Sequence, residues 1–321
     1  MTHAIVAQQP GGPEVLHYAE VERPVPGPGQ LLVKVAAAGV NFIDTYHRSG
    51  AYKVAYPFTP GSEMAGTVEE TGDGVEDFSA GDRVATAEGA RCYAGYALLD
   101  TSKALPVPTG VDDLTAAALP LQGITAHYLI NSSFRVEPGH TVLTHAGAGG
   151  VGLLLIQLLK EKGARVITTV SSDAKELLAR EAGADHVLRY GGFPHHVREL
   201  TDGKGVHVVY DGVGRDTFDG SLSCLRTRGA LVLFGAASGP APSFDPQRLN
   251  AGGSLTLTRP SMGHFLLNEQ ERRWRSTEIF NAVADGNLKV RIGATYPLAE
   301  ARQAHEDLES RRTTGKVLLL P

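Results

Sequence analysis

One short segment limits what this chain can fold into more than any other: Gly147-Ala-Gly-Gly-Val-Gly152. It follows Thr141-Val-Leu-Thr-His145, which reads as a strand, and it opens an apolar stretch over about 150–162 that has the length of a helix. A glycine pattern of this kind is weak on its own and strong between a strand and a helix. Glycine at 147 and 149 allows a tight turn and close approach of the backbone to a ligand, and Gly152 allows helix and strand to pack closely. The helix N-terminus at Gly150 and Val151 then offers free N–H groups and a partial positive charge to a pyrophosphate. The segment predicts a dinucleotide site.

The surrounding pattern agrees. Arg165-Val-Ile-Thr-Thr-Val170 reads as the next strand and 175–182 as the next helix, and apolar strands recur at 186–188, 206–210, 230–234 and 254–258. Continuous apolar strands separated by helix-length segments predict a parallel sheet covered on both faces, a doubly wound α/β Rossmann domain over 123–264. Residues 1–122 read differently. Short apolar runs at 31–35, 66–68, 83–85 and 96–99 are broken by Gly and Pro clusters, the corners of an antiparallel barrel. The segment 36–50 is ambiguous and is expected to hold a short helix carrying polar groups. After Arg259 come a helix (about 266–285), a strand (290–296), a helix (299–310) and a closing strand (316–320), so that 265–321 is expected to complete the first domain.

Composition excludes several classes. A net charge of −5 without a basic stripe argues against a nucleic-acid partner. The two cysteines, Cys92 and Cys224, make no disulfide framework and no paired metal-ligand spacing, which fits a reducing compartment. The first ten residues lack the basic start and apolar run of a secretion signal. The longest apolar stretch, 151–159, is well short of the roughly 18 residues of a membrane span. A cytoplasmic protein with no membrane span is expected.

The end of the second Rossmann strand bears on the choice of cofactor. A site for NADH usually places an acid there, roughly 20 residues after the glycines, to hold the ribose hydroxyls. This chain has Ser171-Ser172, with Lys175 one helical turn on. Hydroxyls and a lysine would bind a 2′-phosphate that a carboxylate would repel, so NADPH is favoured. Asp173 counts against this if it points inward; as a helix N-cap it would face the backbone instead.

Taken together the residues resemble the zinc-free quinone oxidoreductases, the zeta-crystallin-like branch of the medium-chain dehydrogenase/reductase superfamily, and the bacterial NADPH:quinone reductases in particular. The likeness runs through Gly11-Gly-Pro-Glu-Val-Leu16, Gly39-Val-Asn-Phe-Ile-Asp-Thr-Tyr46, Arg48-Ser-Gly-Ala-Tyr52 and the glycine loop, then Val209-Tyr-Asp-Gly-Val-Gly214, Thr258-Arg-Pro-Ser261 and Gly315-Lys-Val-Leu-Leu-Leu-Pro321. It implies a GroES-like, β-barrel-type catalytic domain beside the Rossmann domain, the nicotinamide in the cleft, and a homodimer joined through the Rossmann sheet edge. It also implies that Asn41, Tyr46 and Tyr52 line the nicotinamide and substrate end, with Thr125 and Tyr128 close by. Gly150 and Val151 would meet the pyrophosphate; Ser171, Lys175, Tyr190 and Arg311 would surround the adenosine phosphate; Phe234, Gly235 and Ser238 would close the site.

Zinc-dependent relatives place a cysteine ligand where this chain has Asn41, and a histidine where Gly61-Ser62-Glu63 has its serine. The twelve histidines show no converging ligand set in sequence, and His195-His196 reads as a surface pair at a helix start. No metal is expected. Without a Lewis acid the acceptor must already take hydride readily, as quinones and enones do. The protein then has to align the reactants and donate a hydrogen bond to the developing oxyanion. Tyr52 and Asn41 are the candidate donors and Tyr46 a third; the bland alternatives are a turn cap for Asn41 and packing for the tyrosines. Asp44 is expected to accept from a neighbouring tyrosine or the backbone, and Glu63 to make a structural hydrogen bond. NADPH:quinone reduction is the main reading. Reduction of an enone or enal double bond is its nearest rival, and a non-catalytic, crystallin-like NADPH-binding protein is a third.

Overall fold

The strand–helix alternation in the second half of the chain builds a single six-stranded sheet in the computed structural model, which describes residues 1–321. All its strands are parallel, in the order His186–Arg189, Arg165–Val170, Thr141–Thr144, Val206–Asp211, Leu225–Leu233, Thr256–Thr258. Numbered along the chain this is 3-2-1-4-5-6, the Rossmann order, and the order reverses between Thr141–Thr144 and Val206–Asp211. Leu143, Ile167, Val209 and Leu231 are fully buried in its core, each stabilising the fold by about 1.5–3 kcal/mol. The helix Gly150–Glu161 buries seven residues, whereas Asp173–Glu181 buries only Ala179 and lies largely in water.

The chain divides into two compact units, Met1–Ile124 with Arg272–Pro321, and Thr125–Glu271. The second break falls later than the 264/265 expected from the sequence. Phe265 stacks on Tyr128 with ring centroids 4.5 Å apart, which ties the turn Met262–Phe265 to the Rossmann unit.

The first unit is organised by one long strand, Gln30–Val40. It pairs antiparallel with Met64–Thr71 and Tyr96–Asp100, and near its end with Lys316–Leu320. The part of it over 36–40 falls within the segment that was ambiguous in sequence; the helix there is only Phe42–Arg48. Alanines favour helix, but pairing on both sides overrides that preference. Gly39 shows why small residues stand here: a Cβ would lie 2.2 Å from the Glu63 carboxylate.

A buried polar chain fixes the helix Phe42–Arg48 in place. Arg48 has only donors to offer, so Nδ1 of His305, 3.0 Å away, accepts from it. Nε2 of His305 then carries the proton and donates to the Tyr93 oxygen at 3.2 Å. The Tyr93 hydroxyl in turn donates to Asp44 at 3.1 Å, where the Asn41 N–H and the Ser62 hydroxyl also donate. Asp44 thus takes both a tyrosine and the backbone as partners. Burial, and then the Arg48 charge, press the His305 pKa down to about 3. Burial lifts Asp44 to about 6, against the pull of its hydrogen bonds and Lys316.

These shifts act in opposite directions. The lowered His305 contributes stability above its unfolded pKa that is lost as pH falls toward about 3. The raised Asp44 contributes stability at low pH that is lost as pH rises through about 6. The stability deficit of His305→Gln relative to wild type should therefore shrink by about 2 kcal/mol between pH 7 and pH 5, measured by urea unfolding. A deficit independent of pH would show that this imidazole titrates normally.

Candidate functional site

In the Rossmann unit most of the candidate residues gather at the carboxyl ends of the strands. The loop 145–149 leaves Thr141–Thr144, and Gly149 caps the helix Gly150–Glu161. Leu153 N–H is the first to bond within that helix, to the Gly149 carbonyl, so the N–H groups of Gly150, Val151 and Gly152 face outward from its N-terminus. A Cβ on Gly147 would lie 2.3 Å from the Thr168 hydroxyl, and one on Gly152 would lie 2.2 Å from the Ala146 carbonyl. The left-handed residue of the turn is not a glycine but Ala146, at φ 55°. Gly147 therefore serves close packing against the neighbouring strand rather than the turn itself. Gly149 leaves more room, its Cβ meeting the Ala146 carbonyl at 3.2 Å.

Ser171 is exposed at the end of Arg165–Val170, and Ser172 caps the next helix by accepting from Lys175 N. Asp173, considered above as a possible N-cap, is instead the first helical residue; its fully exposed carboxylate pairs with Arg189. Lys175 is half-buried in the first turn, and Tyr190 is half-buried and stacked on His145 with centroids 6.1 Å apart. Arg311 belongs to the other unit, in a left-handed turn at φ 59° after the helix Ala301–Glu309.

Phe234, Gly235 and Ser238 follow Leu225–Leu233. The Ser238 hydroxyl donates to the Val213 carbonyl and accepts from Asp216 N–H, so it clamps the loop that follows the strand. Gly235 is required for close approach, since a Cβ would lie 2.5 Å from the Gly212 carbonyl. The loop after Val206–Asp211 is held by a residue the sequence reading missed. Buried Asp211 accepts from the N–H groups of Val213 and Gly214 and from the hydroxyls of Thr217 and Ser221. Ser221 also meets buried His145 at 2.9 Å. Thr125 and Tyr128 lie on the helix Pro120–Tyr128, both buried, and one face of the Tyr128 ring is covered by Phe265.

In the first unit Asn41 is buried, and its amide orientation follows from its neighbours. Lys316 Nζ can only donate, so it meets Oδ1 at 2.7 Å; Nδ2 gives its hydrogens to Glu63 at 2.8 Å and to the Gly39 carbonyl at 3.3 Å. Both amide hydrogens are spent. Asn41 is thus no donor to a substrate oxyanion, contrary to expectation. Tyr52 is different: it is 44% exposed, and its hydroxyl makes no hydrogen bond. Its ring packs edge-on against Tyr46 at 5.5 Å and His47 at 6.0 Å, and Tyr46 is half-buried between it and Phe42.

Two family profiles cover most of the chain, an alcohol dehydrogenase GroES-like domain over residues 27–151 and a zinc-binding dehydrogenase domain over 150–278. A quinone oxidoreductase of Pseudomonas aeruginosa is 43% identical over 97% of each chain. This chain belongs to the quinone oxidoreductases of the medium-chain dehydrogenase/reductase superfamily. A 2-haloacrylate reductase of a Burkholderia species is 42% identical over 100% of this chain and 99% of its own. A mycobacterial protein solved with NADPH superimposes with a TM-score of 0.98 at 52% identity, covering all of both chains.

Although one profile carries zinc in its description, the residues of this quinone oxidoreductase do not fit that metal. Where ligands would stand, Asn41, Ser62 and Glu63 offer an amide, a hydroxyl and a carboxylate, and the Lys316 ammonium already holds both Asn41 and Glu63. A catalytic zinc needs three ligands drawn from thiolate, imidazole and carboxylate, and of these residues only Glu63 is of such a type. The one cluster with metal-ligand chemistry, His195, His196 and Glu199, is exposed on the helix Phe193–Leu200; Glu199 is a third group that the sequence reading did not pair with the histidines.

The Lys316–Glu63 pair is out of reach of water, so removing one partner strands the other. Lys316→Met should cost about 3–5 kcal/mol in denaturant unfolding. Adding Glu63→Gln should recover part of that, because glutamine still accepts from the Leu121 N–H that Glu63 now holds. Equal loss in the single and double variants would show that the two are not coupled.

Proposed function

We propose that this chain reduces quinones with NADPH by hydride transfer and without a metal. The observation that carries this reading is the carboxyl edge of the Rossmann sheet: outward N–H groups at 150–152, with hydroxyls and a lysine rather than an inward acid after the second strand. The sites fit the cofactor, and NADPH, when bound, supplies the hydride. Gly147, Gly149, Gly150, Val151 and Gly152 hold the pyrophosphate through backbone N–H groups and close approach. Ser171, Lys175 and Tyr190 take the 2′-phosphate end. Gly235 and Phe234 shape the cofactor's edge, while Ser238 keeps their loop in position. Thr125 and Tyr128 support the nicotinamide end.

Tyr52 donates to the oxygen of the acceptor as charge arrives there, and Tyr46 orients the Tyr52 ring. Asn41 acts from behind, as a positioning residue at the start of Phe42–Arg48. No helix is long and apolar enough to cross a membrane. We place the enzyme in the cytoplasm as a homodimer acting on small quinones or related conjugated carbonyls.

The 42% identical 2-haloacrylate reductase favours one second reading, reduction of an activated carbon–carbon double bond by the same hydride chemistry. Deuterated NADPH separates the two: quinone turnover that is fast and insensitive to chelators supports the first. Label on the β-carbon of an enone with poor quinone turnover supports the second. No NADPH oxidation with any acceptor would leave only a binding protein. Tyr52→Phe should lower kcat about ten- to a hundredfold with little change in NADPH affinity, measured under steady-state turnover. Unchanged kcat would remove Tyr52 from the chemistry.

A further inference from the structure

A charged group stands at the carboxyl edge of the Rossmann sheet, beside the serine pair. Arg189 ends the strand His186–Arg189 and lies opposite Val170 in the parallel register, next to the position from which Ser171 leaves the sheet. Its guanidinium meets two carboxylates of the first turn of Asp173–Glu181. Nη2 donates to Asp173 and approaches Glu176 at 2.8 Å, while Nε and Nη1 make no hydrogen bond. Glu176 is shared with Arg180 at 2.7 Å.

The arrangement has a charge logic. Asp173 and Glu176 suit a helix N-terminus, but they stand either side of Lys175, where a second phosphate dianion would be repelled. A guanidinium placed against both carboxylates offsets that repulsion. With Nη2 given to the two carboxylates, it keeps three of its five N–H donors, on Nε and Nη1, for an anion.

We infer that Arg189 is a specificity-determining ligand of the 2′-phosphate of NADPH, oriented by Asp173 and Glu176. The inference rests on the assignment of that phosphate to the end of the second strand. Asp173 thereby changes meaning: an acid that would count for NADH becomes a support for the residue that selects NADPH.

Arg189→Gln and Lys175→Gln, titrated in parallel with NADPH and NADH by nucleotide fluorescence, test it without turnover. For Arg189→Gln the NADPH dissociation constant should rise about tenfold while that for NADH stays within about twofold. Adenosine 2′,5′-bisphosphate should displace NADH from the wild type far better than from the variant. The NADPH effect should also weaken at high salt, since the site is exposed. Equal weakening of both cofactors would overturn the inference in favour of a structural role. No change with Arg189→Gln while Lys175→Gln discriminates would overturn it and leave the phosphate assignment standing. No discrimination by either variant would overturn both.

Discussion

An ammonium and a carboxylate that water cannot reach govern the first unit. Lys316 is 1% exposed in its side chain and Glu63 is 0%, and they lie 253 residues apart in sequence. A charge pair so desolvated holds only when each partner keeps its other hydrogen bonds, and here those bonds reach outward. Lys316 sets the orientation of the Asn41 amide, Glu63 accepts from Leu121 N–H, and Asn41 starts the helix that carries Tyr46. The same pair holds Asn41, which stands where the resemblance puts a cysteine ligand in zinc-dependent relatives. One internal cation thus serves architecture and excludes another kind of chemistry.

The Rossmann unit depends on backbone geometry more than on charge. Its carboxyl edge is an accumulation of groups that strands and helices leave unpaired at their ends, brought together by a parallel sheet. Side chains there mostly shape loops. Asp211 gathers four donors to fold back the segment after its strand, and Ser238 ties that segment to the next one. Charged side chains stand after the second strand, where Lys175 and Arg189 flank the exposed serines.

Much of this was legible in the sequence because it is local. The glycine loop, the alternation after Gly123 and the serine pair in place of an acid each occupy a few consecutive residues, and their periodicity or turn chemistry betrays them. The strand over 36–40 was not legible, because alanine and glycine there answer to neighbours from Met64–Thr71 and Lys316–Leu320. Asn41 read as a donor because its type permits it; only the structure shows both hydrogens given to Glu63 and Gly39. Arg189 gave no signal at all, since its meaning comes from strand register with Val170 and from acids on a separate helix.

The strand Lys316–Leu320 also sets an order of events during synthesis. Chains leave the ribosome from the N-terminus, and domains fold as units when their sequence is available. Every strand of the Rossmann sheet lies before Arg259, so that sheet can close while Gln30–Val40 still has an empty flank and Glu63 no counter-charge. The earlier-made unit is the later one finished. Until Lys316 arrives, water has to keep access to Glu63, and the half-built barrel stays open on the side where its own final strand will dock.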